Sequence, residues 1–288
     1  MSDHIVFCGK GGVGSSTVTT HVGAALADVG FTVLQIGSGY VPDGFASTNN
    51  ESVCRLIRRG EKPTVDSVVR RGVRRLSILE LGSPPGFGEE GAGELDGAIQ
   101  AIIEAGIIPE ISPDLVLYDV SGEHGRALLH ALRRHLRALT VFVVTTADLG
   151  ALVGANNLLT TLTTPFPEFA AVALGGLIPN NAGNVFDESF IRDFAGAASL
   201  HLLPAIPRSL QVRQAELFGK TVIEAAPHST HSYFYRRLAN QVVDAMGEPS
   251  LNRDAKPLSR EQLREWSTTW GERLHALENG LVTDGEAI

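Results

Sequence analysis

One short run near the start of the chain, Gly9-Lys10-Gly11-Gly12-Val13-Gly14-Ser15-Ser16-Thr17, constrains the fold more than any other feature. It follows the apolar run Ile5-Val6-Phe7-Cys8 and opens a helical pattern from Thr17 to Val29 that stops at Gly30. A glycine-rich turn between strand and helix lets successive backbone N–H groups point inward, and the helix N-terminus adds positive potential. The two together make a phosphate cradle. From Gly9 to Ser16 the spacing fits G-x-x-x-x-G-K-S/T at every position but one: Ser15 stands where the lysine is expected. Ser16 keeps the hydroxyl suited to Mg²⁺, and Lys10 sits early in the loop. A charge-assisted hydrogen bond contributes about 1.5–3 kcal/mol net, so losing one weakens phosphate binding by roughly ten- to a hundredfold. Binding survives such a loss better than phosphoryl transfer does, because that reaction relies on cations to neutralise developing charge.

Downstream, apolar runs alternate with helical stretches. Strands are predicted over 32–36, 76–81, 115–120, 140–145, 171–178 and 200–206, and helices over 51–59, 65–72, 95–106, 128–136, 149–162, 189–197 and 233–246. This alternation predicts an α/β fold, a mostly parallel sheet with helices on both faces. No Pro/Ser-rich linker interrupts it, so residues 1–247 read as one nucleotide-binding domain. A polar stretch then leads into Leu258, Leu263, Trp266, Trp270, Leu274 and Leu277 at helical spacing, so 248–288 reads as a C-terminal arm with an amphipathic helix.

Composition narrows the class. Of 288 residues, 43% are hydrophobic and 19% charged, which supports a sizeable core and excludes wholesale disorder. The net charge of −8 argues against a dedicated nucleic-acid binder. No run is apolar enough for a membrane span, and the N-terminus lacks the pattern of a signal peptide, so the expectation is a cytoplasmic protein. The two cysteines, Cys8 and Cys54, cannot form a multi-bridge scaffold.

The glycine-rich run resembles the deviant phosphate loop of the nitrogenase iron protein and its relatives, among them the L subunit of dark-operative protochlorophyllide reductase. Further similarities follow in the same order: Leu79 to Gly86, Leu117-Tyr118-Asp119-Val120-Ser121-Gly122-Glu123, Ala155-Asn156-Asn157, Leu174 to Asn180, Ile206-Pro207-Arg208, Gln214-Ala215-Glu216, Thr221 to Glu224 and Pro257-Leu258-Ser259. The resemblance implies a homodimer that binds MgATP and holds one 4Fe–4S cluster between subunits to pass electrons to a larger protein partner. It also implies nucleotide-binding roles for Gly9 through Thr17, Asp43, Asp119, Asn180, Pro207 and Arg208. Asp119 then serves as the Mg²⁺-facing carboxylate, and Glu123 replaces a family aspartate.

At several positions the chain departs from the family. Gly91 and Arg126 occupy the places of the two cluster cysteines, and Glu94 that of an arginine. Clusters are held by thiolates, so no iron–sulfur cluster is expected. In the first switch, Gly37 and Asp43 are kept, but Gly39 replaces the aspartate expected to act on water. With Ser15 also changed, the expectation is weak ATP or ADP binding with Mg²⁺ and little hydrolysis. The favoured reading is a cluster-free homodimer acting through a larger protein partner. The alternatives are an ATP-dependent electron-donor component and a MinD/ParA-type nucleotide switch. Membrane contact by the C-terminal helix is disfavoured, because Glu261, Glu265 and Glu272 share its polar face with arginines. The arginine run from Arg55 to Arg75 and the acidic cluster Glu89, Glu90, Glu94 and Asp96 read as solvated faces or as a partner-docking surface.

Overall fold

Strands that are apolar on both sides need cover on both sides, and the computed structural model shows how this chain supplies it. It describes residues 2–37, 51–82, 89–120, 125–164, 171–248, 252–283 and 285. Among these, eight strands form one sheet: β1 (Asp3–Gly9), β2 (Val33–Gly37), β3 (Val69–Arg71), β4 (Leu76–Glu80), β5 (Leu115–Val120), β6 (Ala138–Thr145), β7 (Ala171–Ala182) and β8 (Ile206–Pro207). Their order is β3-β4-β2-β5-β1-β6-β7-β8. All neighbours are parallel except β3 and β4, which pair antiparallel.

Alternation along β1 sends its side chains to two separate cores. Val6 and Cys8 join one face, with Leu56 of α2 (Val53–Arg58), Leu95 and Ile99 of α4 (Glu89–Glu104), Leu128 and Leu132 of α6 (Gly125–His135), and Leu152 and Leu159 of α7 (Leu149–Thr163). Ile5 and Phe7 join the other, with Val18, Val22 and Leu26 of α1 (Ser15–Asp28), Val212 of α9 (Leu210–Leu217), Val222 of α10 (Val222–Ala225), and Tyr235, Leu238 and Val242 of α11 (Thr230–Gly247). Short helices α3 (Val65–Val68) and α5 (Ile107–Ile111) complete the connections.

Two predicted elements differ. The helix expected over 65–72 stops after one turn, capped at Thr64, and Val69–Arg71 instead pairs with β4 at the sheet edge. The strand expected over 200–206 makes one isolated bridge, Leu177 to Leu202, before β8. Pro204 lies between the two and has no N–H to donate to a ladder.

The C-terminal helix α12 (Arg260–Glu278) docks on α8 (Val185–Ala197) through aromatic contact. Trp266 stacks on Phe190 at 4.8 Å, and Trp270 meets Phe186 and Phe190 edge-on. Asp193 accepts hydrogen bonds from both indole N–H groups, at 2.9 and 2.7 Å. Upstream, the Asn156 side chain both donates to and accepts from the Leu258 backbone, which pins the arm to α7. No helix among the described residues is long and apolar enough to cross a membrane.

Candidate nucleotide site

β1 lies mid-sheet between β5 and β6, and its carboxyl end runs into the loop. In open α/β sheets this edge is where ligands bind. Gly14 caps α1 at φ +84°, a conformation that glycine adopts without penalty, and no side chain caps the helix. The first-turn N–H groups therefore face the loop's concavity, where a phosphate can satisfy them. The helix begins at Ser15, two residues earlier than predicted. Ser15 is buried, and its carbonyl accepts from the Thr19 hydroxyl at 2.8 Å.

Asn180 holds the loop from the neighbouring strand. Its buried amide donates to the Val13 carbonyl at 2.8 Å, and a side chain at Gly14 would collide with that same amide. The Leu174–Asn180 segment reaches this point because β7 is bulged. Gly176 sits at φ +130°, and the register against β6 shifts between Val141 and Phe142. Asn181, also at positive φ, and Pro207 then line a small cleft with Gly14, Thr17, Arg213 and Glu216. The Thr17 hydroxyl donates to Glu216 at 2.7 Å across this cleft.

Asp119 is buried at the end of β5, in register with Phe7 of β1 and Gly37 of β2. The structure therefore gathers Gly9 through Thr17, Asp119, Asn180 and Pro207 at one edge. Arg208 is exposed and does not line the cleft, where Arg213 stands instead. Asp43, Gly39 and Glu123 lie outside the described residues. With these donors a nucleotide phosphate fits the loop, and Ser16 and Asp119 are the oxygens that would hold its Mg²⁺. Ser15 brings no cation to the phosphates.

The cluster positions have a different chemistry. Gly91 is buried in the first turn of α4, and Arg126 is exposed in the first turn of α6. Cys8 is buried in β1, its thiol pushed up to about 12 by burial. Cys54 lies on α2 at the carboxyl end of β4, its backbone N–H bonded to Leu81 O at 2.9 Å. Burial and the nearby Glu94 carboxylate push its thiol up to about 12. Gly91 and Arg126 carry no thiol, and the two thiols of the chain sit on β1 and α2, so the residues at these positions do not fit an iron–sulfur cluster.

Comparison with known proteins assigns the lineage. Residues 3–272 match the family of 4Fe-4S iron sulfur cluster binding proteins, NifH/frxC family. The chain belongs to the nitrogenase iron protein family. It is 33% identical to nitrogenase iron protein 2 of Paenibacillus durus, over 98% of this chain and 97% of that one. It is 32% identical to the nitrogenase iron protein of Methanospirillum hungatei, over 92% and 95%. The fold is shared more widely. The cell division ATPase MinD of Pyrococcus furiosus superposes with a TM-score of 0.64 at 18% identity, covering 85% of this chain and 99% of that one. A ParA family ATPase of Chlorobium tepidum gives 0.58 at 20%, covering 85% and 98%.

Four arginines of the Arg55–Arg75 run are held in ion pairs. Arg58 pairs with Glu94 at 2.6 Å, Arg59 with Glu51 and Glu61, Arg70 with Glu80 at 3.3 Å, and Arg74 with Asp28 at 2.8 Å. Asp96 of the acidic cluster is likewise paired, with Arg134 and His135. Sequence reasoning missed the seat of Lys10. Its side chain lies along α7 over Gly150 and Gly154, and a Cβ at either would sit 2.8–2.9 Å from it. The signal was present as two glycines four residues apart, one helical turn.

Proposed function

We propose that this protein is a cluster-free homodimer of the nitrogenase iron protein family that binds ATP or ADP weakly and acts through a larger protein partner, as a regulatory, assembly or structural component of a reductase-type complex. What supports this reading is a glycine-rich loop at the helix N-terminus, together with Gly91 and Arg126 where the family resemblance expects cluster cysteines. The cradle supports nucleotide affinity. The missing lysine at Ser15 supports weak binding and little hydrolysis, since transition-state charge goes unneutralised. In this reading residues 1–247 carry nucleotide and residues 248–288 are an arm. The protein works in the cytoplasm, with neither nucleic acid nor membrane as its partner.

Anaerobic purification followed by iron analysis and visible and EPR spectra tests the reading. The expected result is a dimer without cluster iron that still binds MgADP. One 4Fe–4S cluster per dimer, or a partner-stimulated ATPase coupled to electron transfer, would overturn it in favour of the electron-donor alternative.

A further inference from the structure

The exchange of a cysteine for Arg126 does more than remove a metal ligand. Arg126 lines a pocket that borders the phosphate loop. This pocket, about 400 Å³, is lined by Gly9, Lys10 and Gly11 of the loop, Gly125 and Arg126 at the start of α6, and Asn157 of α7. Val120, the last residue of β5, also lines it, one residue beyond Asp119. Two cations from separate elements thus border one cavity, and no carboxylate lines it among the described residues. Neither Lys10 nor Arg126 is in an ion pair among the described residues.

The remaining walls suit an anion. Glycines at 9, 11, 125 and 154 leave the backbone accessible, and the Asn157 amide can donate. The N-terminus of α6, an eleven-residue helix, opens onto the pocket through Gly125 and adds positive potential. The local field already registers elsewhere: His130, one turn along α6, is pushed down by burial and then by the charges of Arg133 and Arg126. Lys10 is confined to its side of the pocket by close contact with Gly150 and Gly154.

We propose that Arg126, with Lys10, forms a binding site for a phosphate-type dianion beside the loop, supplying the positive charge that Ser15 lacks. The site deepens the nucleotide reading above and rests on it where the anion is the terminal phosphate of a bound nucleotide. A separate inorganic phosphate has the same chemistry. Arginine suits either, because its planar fork meets two phosphate oxygens at once.

The test titrates the full-length wild type, Arg126→Ala and Arg126→Lys with MgADP, a non-hydrolysable MgATP analogue and inorganic phosphate. Arg126 is exposed, so an unchanged melting temperature is the folding control. One supporting result is an affinity for the ATP analogue about tenfold or more weaker in Arg126→Ala, with MgADP binding unchanged and Arg126→Lys intermediate. That outcome identifies the terminal phosphate. A second supporting result is unchanged nucleotide affinity with inorganic phosphate binding lost in Arg126→Ala, which identifies a free anion. If the wild type binds phosphate through Arg126 but no nucleotide, the pocket stands and the nucleotide reading falls. If MgADP binds and no titration responds to Arg126, the nucleotide reading stands and the pocket is overturned.

Discussion

At the scale of single residues, the site is held by a few buried polar groups with little tolerance. His21 lies on α1 one turn beyond the loop, stacked on Tyr235 at 4.6 Å, with Nδ1 donating to the Thr17 carbonyl at 2.9 Å. Burial pushes its pKa down to about 4, against a small opposing effect of that hydrogen bond. The folded state therefore favours the neutral ring. Stability from His21 is full above pH 6.5, where the unfolded ring is also neutral, and declines as pH falls toward 4. The loss reaches about 3 kcal/mol at its limit. Denaturation curves across pH 7.5 to 4 should show this slope, and His21→Phe should flatten it. Ser15 offers the complementary test. Restoring the cation with Ser15→Lys should tighten MgADP or MgATP binding by roughly ten- to a hundredfold in a titration. An unchanged affinity would mean that the loop does not cradle phosphate in the ordinary way. Ser15 and the glycines of the loop were legible in sequence because their chemistry is local. The hold of Asn180 on the Val13 carbonyl was not, because it joins atoms 167 residues apart.

Among elements, the helices and central strands followed from periodicity, while the edges did not. The central residues of strands β1, β2, β5 and β6 are mostly apolar and buried, so their pattern admits few alternatives. Val69–Arg71 and the 200–206 stretch lie at the two ends of the sheet, where one missing partner or one proline decides whether a ladder forms. The C-terminal helix shows the same dependence on context. Its hydrophobic stripe was visible, yet the stripe alone did not say what it covers. The aromatic face of α8 supplies the answer, with Asp193 satisfying both indole N–H groups. Since the chain has two tryptophans, both in this helix, intrinsic fluorescence reports the docking alone. Asp193→Ala should shift the emission to longer wavelength. Trp270→Ala should cost about 3–5 kcal/mol in chemical denaturation, because the ring is nearly fully buried. A mutant with native stability would show that α12 contributes nothing to the fold.

For the whole molecule, the loop joins the two halves of the sheet. It leaves β1, is held from β7 by Asn180, carries Lys10 against α7, and opens α1, which packs on α11. A ligand that satisfies the loop therefore stabilises the entire fold rather than one segment. At a hundred times its dissociation constant, MgADP should add about 2.7 kcal/mol to the unfolding free energy, read as a rise in melting temperature. No rise at any concentration would argue that the cradle is vestigial. The sequence by itself determined the fold class, the place of the phosphate loop and the family. Each of these is written in contiguous residues or in residue identity. Only the tertiary structure decided that Arg58, Arg59, Arg70 and Arg74 of the arginine run pair with carboxylates, that Arg213 rather than Arg208 lines the cleft, and that Arg126 shares a pocket with Lys10. Charge and cavity depend on which distant side chains the fold brings within a few ångströms, and sequence order does not carry that distance.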